Sequence, residues 1–437
     1  MRELLVISKE TGPRLQYVLN WLLSDVLQVP WRMITNADEV PSDTKCLSYG
    51  ATVDGSFSVP VEGLLSETGI RKLDPPTGYW NSIPVLFPDE GEHDLKFDLF
   101  SAIFFLLSRY EEYHSYLPDK HDRYRHTESL LFRKGWLKLP LIDLWIQAFK
   151  EKLEMYLGDK IPDAVFSFTP TYDIDIAWSY RNKPFSRLAG GLFRDLIGGR
   201  LSHVKLRLSV HLQLANDPFD CFSRLHVLHQ QAGVHPVYFM LVAGKPSEFD
   251  RNNQPQSRAM MSLMRELAAN GTMGIHPSYF AERDQLIRKE IRFLEQAVEK
   301  EMRKSRQHYI RMRLPDTYHA LMDAGIREDY SMGYGTYNGF RAGTGRSFLW
   351  YDLSREKITG LLIHPFSFMD STARFEEGLS ADEAFRQLNQ LESELKRLGS
   401  QLITVFHNFS LGTDPEWKGW FENYAAFMGK NSPFDIR

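Results

Sequence analysis

The chain has 437 residues, 43% hydrophobic and 25% charged, a globular composition longer than one hydrophobic core usually spans, so two domains are expected. Its 52 basic and 56 acidic residues are spread along the chain and leave a formal charge of -4, which argues against a nucleic-acid partner. The two cysteines, Cys46 and Cys221, lie far apart and outside any CxxC, so no disulfide framework or thiolate zinc site is indicated, and any metal needs nitrogen and oxygen ligands.

At the start, Glu3, Lys9 and Glu10 surround the short apolar run LLVI, which reads as a first strand and is too short for a signal peptide. No segment approaches the roughly 20 apolar residues of a membrane span, and the expected compartment is the cytoplasm. From Asn36 to about Asp94, short apolar runs alternate with Gly, Pro, Ser and Asp, the pattern of short strands and loops. DLFSAIFFLLSRYEEY is apolar nearly all round until Arg109 and predicts a buried helix. LIDLWIQAFKEKLEMYLG predicts another, stopped at Gly158.

The domain division is expected there: an N-terminal α/β domain over 1–160 and a second domain over 161–437. Beyond the boundary, strands such as FSFTPTYDID, VHPVYFMLV, TMGIHP, QHYIRMR, LLIHPF and QLITVFH alternate with helices, among them MSLMRELAANG and a charged one from Glu282 to Lys304. That alternation predicts βα units around a parallel sheet, whose ligands bind where strands end. No internal repeat or low-complexity tract interrupts it.

In FSFTPTYDIDIAW an apolar strand runs into Asp173 and Asp175. Alternation puts both carboxylates on one face, so a metal, an arginine or a retained proton must offset their repulsion; the bland reading is a helix cap or Asx turn. GIHPSYF places His276 at a second strand end, where a histidine is either a nitrogen ligand or a satisfied structural residue. In SRQHYIRMRLP, alternation turns Arg306 and His308 to one strand face and Tyr309 to the other, and Arg306 can orient a carboxylate or form a surface ion pair. QLITVFHNFSLG runs a strand from Leu402 to His407, a candidate general acid. Four successive strand ends carrying Asp, His, Arg/His and His form a rarer pattern than any one alone.

The order of these motifs over about 163–437 resembles the polysaccharide deacetylases of the carbohydrate esterase class. That resemblance implies an α/β fold, a distorted (β/α)7-type barrel, behind a smaller N-terminal α/β domain. On it Asp173 is the catalytic base, Asp175 and His276 are metal ligands, Arg306 holds the base, and His407 is the general acid. Asp329 in REDYSMGY falls where the family places an acid near the metal. Closer still is the similarity to a bacterial subgroup with TYDID, HPSY, RQHY, GFRAGT and a late HN, preceded by a domain containing RYEEY. The family's second motif is His-x-x-x-His, whereas this chain has Phe280 at the second position, which cannot bind a metal. His308, in place of the third motif's proline, is the first candidate to complete the shell, and His364 the second.

GFRAGTGRSF, with Gly339, Arg341 and Gly343, resembles the subgroup and either holds a substrate group or is a glycine-rich turn. Arg109, Glu111 and Glu112 resemble it too; their plain reading is a solvated or interdomain ion pair. Substrate contacts are expected from Tyr279, Tyr309, Asp329 and Arg341. The function implied is metal-dependent hydrolysis of an acyl group, most simply N-acetyl, from a saccharide, with zinc, cobalt or nickel. Its rival is a carbohydrate-binding protein that keeps the scaffold without the metal. A glycoside hydrolase needs acids about 5 to 10 Å apart around a sugar bond, which suits Asp173 and Asp175 poorly.

Overall fold

A computed structural model describes residues 3–41, 44–51, 53–183, 185–283 and 285–430. The LLVI run forms β1 (Leu4–Ser8), buried at every position because both faces of its sheet are covered. Leu4 and Val6 turn into the main core, while Leu5 and Ile7 meet Ile34 and Cys46 on the other side. With β2 (Trp31–Ile34), β3 (Cys46–Tyr49) and β4 (Phe57–Val59) it makes a parallel sheet in the order β2-β1-β3-β4. A hairpin follows, β5 (Thr77–Trp80) and β6 (Ile83–Leu86).

The largely apolar helix is Leu99–Leu107, buried throughout and started by Asp98, whose carboxylate accepts from the Ser101 amide at 2.9 Å. It is shorter than predicted: Arg109 takes a left-handed φ of 55° and the YEEY run continues only as a 3-10 turn. Helix Leu141–Leu157 does end at Gly158, in the left-handed conformation glycine adopts without strain.

The larger sheet is built from β7 (Ser167–Ile174), β8 (Val237–Leu241), β9 (Thr272–His276), β10 (Lys304–Ser305), β11 (Glu328–Asp329), β12 (Phe348–Asp352), β13 (Lys357–Ile363), β14 (Phe368–Met369) and β15 (Gln401–His407). Its order is β12-β13-β11-β10-β9-β8-β7-β15-β14, parallel throughout except for β12 against β13. The sheet curls into a half-barrel. Val237 and Phe239 of β8, Ile403 and Val405 of β15, Tyr330 beyond β11, and Phe366 share one small interior cluster, which a flat sheet would keep apart. On β7, Tyr172 and Ile174 face the outer core, whereas Asp173 lies in register with Phe239 and His407 and shares their inward face. A Cβ on Gly274 would come 2.6 Å from the Phe239 ring, so only glycine leaves room for that interior residue.

The molecule is therefore an α/β protein with a half-barrel and a smaller N-terminal domain, the expected class. Three local expectations change. The charged helix is only Ile287–Val298, ended by Glu299 at a left-handed φ of 57°. The strand read through QHYIRMR stops at Ser305, and His308–Ile310 form a 3-10 turn with Tyr309 at φ 58°. Between β7 and β8 stand three helices that the alternation did not single out, Phe185–Ile197, Leu201–His211 and Phe222–Ala232. No described helix is long and apolar enough to cross a membrane.

Candidate active site at the barrel mouth

The carboxyl ends of the parallel strands open into a cavity of about 360 Å³ lined by Asp173, Asp175, His276, His308, Tyr309 and His407. Asp173 ends the inward face of β7, buried, and accepts from Nη1 of Arg306 at 2.9 Å. Arg306 is itself wholly buried. Its guanidinium lies 4.5 Å from the Phe239 ring centroid and 5.6 Å from that of Phe366, and its Nε donates to the Tyr330 carbonyl at 3.0 Å, which fixes the fork that Asp173 meets.

Asp175, the residue directly after β7, faces three imidazoles. Nε2 of His276 is 3.2 Å from its Oδ1, and the Nε2 atoms of His308 and His407 are 3.6 and 3.7 Å from its Oδ2. The other nitrogen of each ring is occupied. His276 Nδ1 donates to the Arg306 carbonyl at 2.6 Å, His308 Nδ1 to Asp250 at 3.1 Å, and His407 Nδ1 to Asp370 at 2.7 Å. Holding Nδ1 in this way turns each Nε2 toward the cavity, the orientation of a metal-ligating or proton-transferring histidine.

One donor atom from each of Asp175, His276 and His308 lies within 4.8 Å of the other two. Oδ1 of Asp175 is buried and accepts no hydrogen bond, an uncompensated oxygen amid nitrogen donors. These residues fit a divalent cation held by nitrogen and oxygen. Burial opposes ionisation of Asp175, yet the facing His308 and His276 hold its carboxyl well below the usual carboxylate range. Burial likewise opposes charge on His308, but Asp175 and Asp250 outweigh it and raise its pKa to about 9.

His407 sits across the mouth, in register with Asp173 on the neighbouring strand. Asp370 takes both the His407 backbone N–H and its Nδ1–H, each at 2.7 Å. Against the opposing effect of burial, the Asp370 charge raises the His407 pKa to about 9, so the ring carries a proton at neutral pH.

Other candidates fall elsewhere. Tyr309 lines the cavity, 38% exposed. Tyr279 is buried just outside it, its ring stacked on Phe249 and its hydroxyl 3.0 Å from His121. The expected substrate contact at Asp329 is not at the mouth: the residue is buried behind it, accepting from Ser305 and Ser331 at 2.8 and 2.9 Å. Arg341 is also not a mouth residue. It forms a two-pronged pair with Glu112 at 2.6 and 2.8 Å, completed by Arg109, so GFRAGT and RYEEY meet in a buried network joining the two parts of the chain. His364 pairs with Glu328 at 2.9 Å and stacks on Tyr330, away from Asp175, which leaves His308 as the third donor. Phe280 packs on Tyr279 and Phe249.

Sequence reading missed Asp250 and Asp370, which hold His308 and His407. Asp370 follows β14 directly, and an acid at a strand end was the available signal. It also missed the contribution of the N-terminal part: Lys120, His121 and Arg123 form one wall of the cavity, and Arg123 donates to the Tyr309 carbonyl.

A family model described as a family of unknown function, DUF7033, matches residues 4–157. No curated protein matches the chain. Among solved structures, a Mycobacterium smegmatis protein described as a polysaccharide deacetylase is similar at 13% identity and a TM-score of 0.41, over 63% of this chain and 86% of its own. A polysaccharide deacetylase of Bacillus cereus is similar at 10% identity and a TM-score of 0.30, over 61% and 88%. An allantoinase is similar at 13% identity and a TM-score of 0.38, over 61% and 83%. Likenesses this distant assign no activity to the cavity.

Proposed function

We propose that the barrel is a metal-dependent hydrolase that removes an acyl group, most simply N-acetyl, from a saccharide. One observation carries the reading: a nitrogen–oxygen trio of Asp175, His276 and His308 lies between an arginine-braced carboxylate, Asp173, and an aspartate-braced imidazole, His407.

Asp175, His276 and His308 are the residues that would hold a divalent cation, zinc, cobalt or nickel. When bound, such an ion lowers the pKa of water towards about 7 and polarises a carbonyl oxygen. Arg306 aims Asp173, which takes the proton of the attacking water; the carboxylate has one oxygen on the guanidinium and the other toward the trio. His407 enters protonated and gives its proton to the departing amine nitrogen, with Asp370 stabilising the imidazolium in the meantime. Tyr309 offers an aromatic surface for a sugar ring. The compartment we assign is the cytoplasm, where the buried Cys46 and Cys221 stay thiols.

The test is acetate release from N-acetylated oligosaccharides by the metal-loaded protein, with elemental analysis of the same sample. About one cation per chain and release that Asp173→Asn suppresses support the reading; undiminished release by that variant refutes it. Phe280, which cannot ligate, favours a second reading, a metal-free carbohydrate-binding protein. Sugar binding with no cation retained after repletion would select it.

A further inference from the structure

The first two helices between β7 and β8, Phe185–Ile197 and Leu201–His211, carry a surface unlike the rest of the described residues. Phe193, Leu196 and Ile197 are 67%, 53% and 71% exposed, and on the second helix Leu201 and Leu208 are 67% and 42% exposed. Leu212 and Leu214, just beyond it, are 63% and 77% exposed. Elsewhere among the described residues exposed apolar side chains are scattered singly, as on any soluble protein; here they are gathered between residues 193 and 214. At helical spacing Phe193, Leu196 and Ile197 share one side, as do Leu201, Leu208 and Leu212.

Beside this edge lies a cavity of about 710 Å³ whose charged lining is mostly cationic: Lys183, Arg187, Arg194, Arg200, Arg207 and Arg251, against Asp195 and Asp414. Arg200 and Arg207 are taken up by Asp195, at 3.0 and 2.8 Å. Lys183, Arg187 and Arg194 form no ion pair among the described residues, and burial together with the surrounding guanidiniums lowers Lys183 to about 8. Arg187 and Arg194 stand two helical turns apart on the face that carries Gly190 and Gly191. A Cβ on Gly191 would come 2.5 Å from Nη1 of Arg207, so glycine is what lets that guanidinium lie against the helix. The result is an apolar stripe flanked by unpaired cations, the pattern of a helix lying in a bilayer interface.

We propose that this helical pair docks the protein on an anionic membrane leaflet, with Phe193, Leu196, Ile197, Leu201, Leu208 and Leu212 among the upper acyl chains and a lipid phosphate between Arg187 and Arg194. A polyanion in water would satisfy the arginines but leave the apolar edge exposed, and an apolar partner would leave the cations unmatched; an acidic lipid surface answers both. Ile176 lines the basic cavity and its chain neighbour Asp175 the barrel mouth, so the two cavities adjoin. Docking does not depend on which reaction the barrel performs.

Sedimentation of the full-length protein with vesicles tests this. Vesicles with about 30% phosphatidylglycerol should bind at least about tenfold more protein than pure phosphatidylcholine, and the excess should vanish as salt is raised. The double charge reversal Arg187→Glu with Arg194→Glu should weaken binding to acidic vesicles about tenfold or more, and Phe193→Ser with Ile197→Ser should do likewise. Equal binding to both vesicle types, or none to either, overturns the proposal. So does light scattering that shows a dimer dissolved by Phe193→Ser with Ile197→Ser, because a second copy then covers the edge. The lipid and salt comparison needs no variant, so misfolding of a variant would not shield the claim.

Discussion

The chain buries two clusters of opposite charge, and they differ in how fully the charges are matched. At the seam between the two parts, Glu112 accepts from Arg109 and twice from Arg341, and Glu111 accepts from Arg109, Ser129 and the Leu130 amide, so all four carboxylate oxygens are taken. At the barrel mouth, Asp175 Oδ1 accepts no hydrogen bond and three imidazole nitrogens converge on its carboxylate at 3.2 to 3.7 Å. Both clusters are costly to bury. The first uses its carboxylates on its own guanidiniums and joins the two parts of the chain; the second leaves donor capacity facing a cavity, where a cation, water or substrate can take it up.

Substitutions in the two clusters should separate activity from stability. Asp173→Asn is expected to lower kcat by about 10²- to 10⁴-fold with little change in the unfolding midpoint, measured by acetate release and calorimetry on one preparation. Glu112→Ala leaves two guanidiniums buried without their shared partner and should cost about 3–5 kcal/mol in denaturant unfolding, while folded molecules keep their cation content. Asp370→Asn removes the charge that holds the His407 pKa at about 9. Because the proposed acid works only when protonated, the rate falls as pH rises through that pKa. The alkaline limb of the kcat profile should therefore move down toward the ordinary histidine value near 6.5. The smallest effect is expected from Arg341→Lys, which keeps the charge but loses the fork: about 1–3 kcal/mol of stability and no change in the pH profile.

Much of the mouth could be read before the fold was known, because a strand's alternation carries side-chain direction with it. β7 runs into Asp173 and Asp175, β9 into His276 and β15 into His407, and each arrives in the cavity. His308 arrives as well, though not by alternation: β10 ends at Ser305, His308 opens a 3-10 turn, and Asp250 holds its ring. Arg341 was misread because the meaning of its glycine-rich turn depends on Glu112, 229 positions away, which no local pattern discloses. Asp250 was missed for the same reason, since it becomes meaningful only beside the imidazole it holds, whereas Asp370 follows a strand too short to be recognised from its sequence. The helical pair shows the converse: its periodicity was readable, but that its apolar side stays uncovered is a fact of the fold.

The wall formed by Lys120, His121 and Arg123 ties the histories of the two halves together. His121 meets Tyr279 and Arg123 meets the backbone of Tyr309, so the aperture through which any ligand enters is jointly owned. A recombination that set this barrel behind a foreign leading segment would inherit the reactive groups yet lose the shape of their entrance. Descendants could change what they admit by altering three residues that lie far from the barrel strands in sequence.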